Sequence, residues 1–426
     1  MIDAEVLARA TEDVRRATGD EVIAEMFRRS MAENLPAVAE RLPDGTTFVL
    51  TGDIPAMWLR DSAAQLRPYL LLCPEDPALQ DVLIGVLHRQ LEYVVLDPYA
   101  NAFNREANGA GHTTDETEMS PWVWERKYEI DSLCYPIELA YRLWRITGRA
   151  DVIDERFKAA AEAIIALWTV EQDHENRSPY RFQRHDDVPT DTLVREGRGR
   201  LTQPTGMSWS AFRPSDDATE LGFNVPGNMF ASVVLGYLEV IATEVLHDSG
   251  LATRAKELRA DIDDGIAQHG TVEHPVHGRV YAYEVDGMGG TLLIDDANMP
   301  SLLSIPLTGY AAADDPTYLA TRKLLLSPEN PYYYSGSHAA GIGSPHTPPN
   351  YVWHIALAVQ GISSTSAEER QRLLELLRDT TGGTGQMHEG FDVDDPTQFT
   401  REWFSWANAM FCELALVHAG VHAGIR

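Results

Sequence analysis

Adjacent carboxylates at Asp216 and Asp217, in the run GMSWSAFRPSDDATELGFNVPGNMF, are the most pointed chemical feature of the chain. Two acids side by side raise each other's pKa unless a cation intervenes, so one of them can keep its proton near neutrality and act as a general acid. Another acid, Glu389, stands in the glycine-flanked loop GQMHEGFDVDDP, away from any solvated helix face, and Glu402 follows in TREWFSW. Cleavage of a glycosidic bond uses such a division of labour, with one acid at the leaving oxygen and a second carboxylate at water or at the anomeric carbon. Further segments supply residues that grip polyols. Asp53, Trp58, Arg60 and Asp61 fall in TGDIPAMWLRDSAAQLRPY, and Trp122, Trp124, Glu125, Lys127, Tyr128 and Asp131 in SPWVWERKYEIDSLCYP. Asp295, Asp296 and Asn298 fall in LLIDDANMPSLLS, and His346, Trp353 and His354 in GIGSPHTPPNYVWHIALAVQG. Arginine and carboxylate side chains bond hydroxyls, and indole and phenyl faces stack on sugar rings.

Helical periodicity dominates the elements that must carry these residues. Apolar stripes on otherwise charged stretches mark amphipathic helices over 21–42, 77–95, 150–170, 251–266 and 367–377. A second population, exemplified by 228–246 and 407–417, is apolar nearly all round and must be buried. Such helices begin near Ala56, Tyr128, Val225, Ala297, Asn350 and Glu402, and each pairs with an amphipathic segment. Six inner and six outer helices make an all-α fold of the (α/α)6 barrel type, expected as one domain over residues 1–426. The chemical segments all precede buried helices, which puts them at one mouth of the barrel. Short β-like runs at 46–51 and 279–284 are expected as small hairpins over that mouth, and the Gly/Pro/His-rich stretch 335–349 as an ordered functional loop or a lid.

Composition removes other classes. Among 426 residues, 35 Lys+Arg face 64 Asp+Glu, a formal charge of −29. So acidic a chain is not expected to bind nucleic acid or anionic membrane. No stretch is read as spanning a membrane, and the N-terminus lacks a basic-then-apolar leader, so a cytoplasmic protein is expected. Cys73, Cys134 and Cys412 show neither disulfide nor zinc spacing. There is no HExxH, no GxSxG elbow, and the GGTG at 382–385 follows no strand of a βαβ unit, so no metal or cofactor is expected.

The runs TGDIPAMWLRDSAAQ, KYEIDSLCYP, FRPSDDA, DDANMPSLLS, MHEGFD and TREWFSWANAMF resemble those of glycoside hydrolase family 125, the exo-α-1,6-mannosidases, from about Phe27 to the C-terminal region. The resemblance implies an (α/α)6 barrel, release of non-reducing terminal α-1,6-linked mannose from mannose-containing oligosaccharides, inversion, and no metal. It assigns the general acid to Asp216, with Asp217 as alternate, and the general base to Glu389, with Glu402 as alternate. Trp58, Arg60 and Asp61 are expected to hold the terminal mannose, joined by Arg213, Asp296, Asn298 and His346. Ala211 and Gly390 depart from the family pattern, which has glycine and serine at those places. Competing readings are a sugar isomerase or epimerase using His346, His354 and His388, a non-catalytic carbohydrate-binding protein, and a hydrolase of another sugar.

Overall fold

The computed structural model describes residues 2–186 and 188–421. Two kinds of helix alternate along the chain, and their sequences already differ. Ser249–His269 buries a single stripe, Leu251, Ala255, Leu258, Ile262, Gly265 and Ile266, and Ala367–Asp379 buries only Leu373, Leu374 and Leu377. By contrast Ser405–His418 buries every residue from Ser405 to Leu416, and His354–Ile362 all but its last.

Three of the buried helices also start differently from the amphipathic ones, although the buried Val225–Glu244 is capped by Asn224. Ala4–Thr18, Glu21–Val38, Pro77–Leu96, Glu155–Glu171, Ser249–His269 and Pro316–Leu325 are each capped by the aspartate before them, and Ala367–Asp379 by Ser366. Each cap oxygen satisfies an otherwise orphaned amide at the helix start, worth about 1 kcal/mol. The buried helices Leu59–Ala64, His354–Ile362 and Ser405–His418 start instead behind Trp58, Trp353 and Phe404, none of which gives a side-chain cap. Short strands anchor several of these starts. Met57–Trp58 pairs with Ala102–Phe103, which pairs with Val123–Glu125, while Tyr351–Trp353 pairs with Gly390–Asp392 and Phe223–Asn224 with Glu284–Val285.

Buried helices pack on one another in sequence. Leu59–Ala64 meets Cys134–Thr147, which meets Val225–Glu244, which meets Ile305–Thr308, and His354–Ile362 meets Ser405–His418, which returns to Arg67–Leu72. Amphipathic helices cover them, with Ser249–His269 on Val225–Glu244, Ala367–Asp379 on His354–Ile362 and Glu21–Val38 on Ser405–His418. One continuous apolar core runs from Leu7 to Leu416. The chain is thus mostly helical, with no closed sheet among the described residues.

Several expectations shift. The first buried helix is split, with Arg67–Leu72 restarting so that Pro68 falls in its first turn, where a missing N–H leaves no helical bond unmade. The helix expected from Ala297 is only Ile305–Thr308, because Pro300 and Pro306 interrupt it and Asp295 takes the amides of Leu302 and Leu303 instead. Val225–Glu244 does reach a spanning helix's length and hydropathy, contrary to the reading of the sequence, but 72% of that window is buried inside the protein. Strands form at both expected places, Thr47–Val49 against Ala39–Arg41 and Gly278–Tyr281 against Thr271–His274, yet neither pair lines the pocket described below. Stretch 335–349 is an ordered loop, opened by the pairing of Tyr333–Ser335 with Ala340–Ile342 and tied down where Trp353 Nε1 donates to Thr347 Oγ1 at 2.9 Å.

Candidate active site

The aromatic starts of three buried helices form the walls of one pocket. Trp58, Trp353 and Phe404 line it together with Ile54 and Trp406, and Arg60, Asp61, Asp216, Asn298, His346, Glu389 and Arg401 supply the polar surface. They enclose a cavity of about 90 Å³ that opens to solvent. The indole N–H groups of Trp58 and Trp406 have no acceptor within the protein.

Asp216 reaches this pocket from a tight loop. Arg213 N donates to Asp217 O at 2.7 Å and Asp216 N to Arg213 O at 2.9 Å, which puts Asp216 at φ 66°, a left-handed conformation that aspartate accepts more readily than most residues. The loop is clamped from below. Arg213 Nε donates to Glu284 Oε1 at 2.6 Å, Glu284 Oε2 accepts the amides of Glu220 and Leu221, and Ser215 Oγ donates to Asp296 Oδ2 at 2.6 Å. Lys127 Nζ donates to the carbonyl of Asp216 at 2.8 Å and to Asp191 Oδ1 at 2.7 Å. Asp217 points elsewhere, towards His346 Nδ1 at 3.8 Å, and does not line the pocket.

Around Asp216 the charges are crowded. Arg60 is surrounded by Glu129 at 2.6 Å, Asp216 at 2.9 Å, Asp131 at 3.4 Å and Asp61 at 3.5 Å. Burial pushes Asp61 and Asp131 up to about 6 despite Arg60, and Glu129 well above the carboxylate range. Burial would raise Asp216 too, but a hydrogen bond from Glu129 and the charges of Arg60, Lys127 and His346 hold it well below its ordinary value. The neighbour that matters to Asp216 is therefore Glu129, not the adjacent Asp217. His346 is pushed down by burial, but the Asp217 carboxylate outweighs this and raises it to about 9.

Glu389 faces the pocket from the other side with a cation for company. Arg401 Nη1 lies 3.6 Å from Glu389 Oε1, while Nη2 donates to the Thr51 carbonyl at 3.1 Å and to Asp53, and the guanidinium lies 4.2 Å above the Phe404 ring. Gly52, at φ 59°, lets the backbone pass this side chain, since a Cβ there would sit 3.2 Å from Arg401 Nη2. Gly390 similarly leaves room beside the Trp353 ring, 3.3 Å from where its Cβ would be.

Of the expected site residues, Trp58, Arg60, Asp61, Asp216, Asn298, His346 and Glu389 come together at the pocket. Arg213 and Asp296 do not line it; both are buried and brace the Asp216 loop. Glu402 is exposed and outside the pocket. His354 and His388 lie in the core, where His354 Nδ1 accepts from the His388 amide at 2.7 Å and burial lowers His354 to about 3, so they offer no acid–base pair to a substrate. Lys127 and Asp53 were visible in the sequence, as an ion-paired helix start and as part of the first acidic cluster. Glu129, Glu284 and Arg401 were not singled out, and only their long-range partners reveal them. Among the described residues, one group has metal-ligand spacing, His274, His277 and Glu329, away from the pocket. It is satisfied as it stands, because His274 Nδ1 accepts two backbone amides and its Nε2 donates to Glu329.

Residues 20–416 match the profile of glycoside hydrolase family 125, described as metal-independent α-mannosidases. The meiotically up-regulated gene 157 protein of Schizosaccharomyces pombe is 40% identical, over 95% of this chain and 84% of that protein. A Streptococcus pneumoniae metal-independent α-mannosidase, solved as a non-productive substrate complex with α-1,6-mannobiose, is 48% identical over 99% of both chains with a TM-score of 0.96. A glucoamylase from Saccharomycopsis fibuligera shares the fold alone, at 13% identity and a TM-score of 0.62, over 94% of this chain and 95% of the other.

Proposed function

The chain belongs to glycoside hydrolase family 125, the metal-independent α-mannosidases, and we propose that it acts as an exo-enzyme, removing non-reducing terminal α-1,6-linked mannose with inversion. The observation that carries this reading is the meeting of Asp216 and Glu389, from loops far apart in sequence, in one aromatic-walled pocket. The solved relative bound to α-1,6-mannobiose supports the linkage. The helices are read as an (α/α)6 barrel forming one catalytic unit, and the three free, buried cysteines support a cytoplasmic, reducing setting.

In this mechanism the mannose ring stands between the aromatic walls, with Arg60, Asp61 and Asn298 on its hydroxyls. Asp216 delivers a proton to the glycosidic oxygen as the C–O bond breaks. Glu389, aligned by Arg401, takes a proton from the water that attacks the opposite face of the anomeric carbon. NMR-monitored hydrolysis of α-1,6-, α-1,2- and α-1,3-mannobiose tests the reading. Cleavage of the 1,6 isomer with β-mannose appearing first is expected. α-Mannose appearing first overturns inversion, and faster cleavage of another isomer overturns the linkage.

A further inference from the structure

Behind Asp216, outside the pocket lining, lies a carboxyl that this mechanism leaves unused. Glu129 has a fully buried side chain, whereas that of Asp216 is 24% exposed. One guanidinium joins them, Arg60 Nη1 donating to Glu129 Oε2 at 2.6 Å and Nη2 to Asp216 Oδ1 at 2.9 Å, so the two carboxyls are held side by side. Ser132 Oγ also donates to Glu129 Oε2 at 2.7 Å, and Asn101 Nδ2 to Oε1 at 3.4 Å. Asp61 and Asp131 face the same Arg60, and Lys127 is engaged with Asp191, Glu125 and the Asp216 carbonyl. Across the pocket His346 and Arg401 are paired with Asp217 and with Asp53 and Glu389. Four carboxyls on one guanidinium, three of them buried, cannot all be ionised without a large desolvation cost, and the proton stays where water is most remote.

We propose that Glu129 and Asp216 hold one proton between them, with Glu129 the positioning residue that stores it until Asp216 passes it to the leaving oxygen. The inference rests on Asp216 being the acid. At rest Glu129 carries the proton and donates it to the Asp216 carboxylate. As the glycosidic bond breaks, its electron pair goes to the leaving oxygen, which receives the proton through Asp216. The attacking water gives a proton to Glu389, which releases it to solvent, and the pair takes one back through Asp216, so the cycle closes. The raised Glu129 and lowered Asp216 agree with this resting state.

Glu129→Gln keeps the hydrogen-bonding shape and removes the stored proton. On α-1,6-mannobiose its kcat is expected to fall about 100-fold or more, while α-mannosyl fluoride, whose leaving group needs little protonation, is hydrolysed within about threefold of wild type. The alkaline limb of the pH–rate profile moves to lower pH, because Asp216 alone, facing Arg60, Lys127 and His346, loses its proton earlier. Equal losses on both substrates with an unmoved alkaline limb, or no loss on either, overturn the proposal. Glu129→Asp, which keeps a titratable proton, retains the wild-type alkaline limb if the glutamine variant folds poorly. Pairing is also read without turnover, as an infrared carbonyl band of a protonated carboxyl at neutral pH that Glu129→Gln removes. Its presence in an enzyme inactive on every mannoside overturns the mannosidase reading and upholds the pair; its absence overturns the pair.

Discussion

The two carboxylates that meet in the pocket live in opposite surroundings. Asp216 is set among acids, with Glu129, Asp131 and Asp61 sharing its one guanidinium, and its loop is clamped from beneath by buried charges. Glu389 sits in a glycine-flanked loop with Arg401 as its ionic neighbour, and Arg401 is itself held by Asp53, the Thr51 carbonyl and the Phe404 ring. In the proposed mechanism the carboxyls crowded on Arg60 keep a proton among them, stored on Glu129 beside Asp216, while Glu389 is positioned by Arg401. If Asp216 is the acid and Glu389 the base, as proposed, the fold separates the two roles by what it packs behind each carboxylate.

That contrast is most severely tested by removing each carboxylate. Asp216→Asn and Glu389→Gln should each lower turnover of α-1,6-mannobiose by about 1,000-fold or more while circular dichroism and melting temperature stay near wild type. The two should then part on α-mannosyl fluoride, which relieves the need for an acid but not for a base: substantial rescue of the first and none of the second is expected. Next comes the alignment of the base. Arg401→Gln frees Glu389 and should cost about 100-fold in kcat, the scale of a misplacement near 1 Å, with fluoride and mannobiose affected alike.

A smaller effect concerns what braces the acid loop. Arg213→Met strands Glu284 in the core and should lower stability by about 3 kcal/mol in urea unfolding. If Arg213 instead touched sugar, the loss would appear as a raised KM in a protein of unchanged stability. The smallest effect belongs to His346. Its folded pKa of about 9 lies above its ordinary value of 6.5, so its pairing with Asp217 stabilises the fold fully below about pH 6.5 and is lost as pH rises through 9. Being partly exposed, the pair contributes about 1 kcal/mol or less, read as a fall in melting temperature between pH 6.5 and 9 that Asp217→Asn removes. Glu402→Gln, on the exposed side of its loop, should leave both substrates and stability unchanged.

Much of the layout was legible in the chain because it rests on periodicity. The stripe of 251–266 and the nearly all-apolar run of 407–417 announce a surface helix and a buried one, and the positions of the chemical residues just ahead of buried helices follow from the same pattern. What escaped was set by partners remote in sequence. Arg213 carries no local mark that its partner is Glu284 rather than a ligand, and Glu129 acquires its meaning only because Leu59–Ala64 brings Arg60 against it. Adjacency points to Asp217 as the group that keeps Asp216 protonated, yet the left-handed turn at Asp216 sends neighbouring side chains to different places. The fourth buried helix was overestimated since two prolines outweigh an apolar run.

The aromatic residues that open buried helices have a consequence for how this architecture tolerates insertions. Because Trp58 and Trp353 are each the last residue of a paired strand, the residue before a helix and a wall of the pocket, a single residue gained or lost within either strand sends that wall to the opposite face of the strand. The same change in 309–315, which joins two helices without touching the pocket, only lengthens a loop at little entropic cost. A residue gained at such a strand–helix junction therefore costs the pocket more than one gained in 309–315.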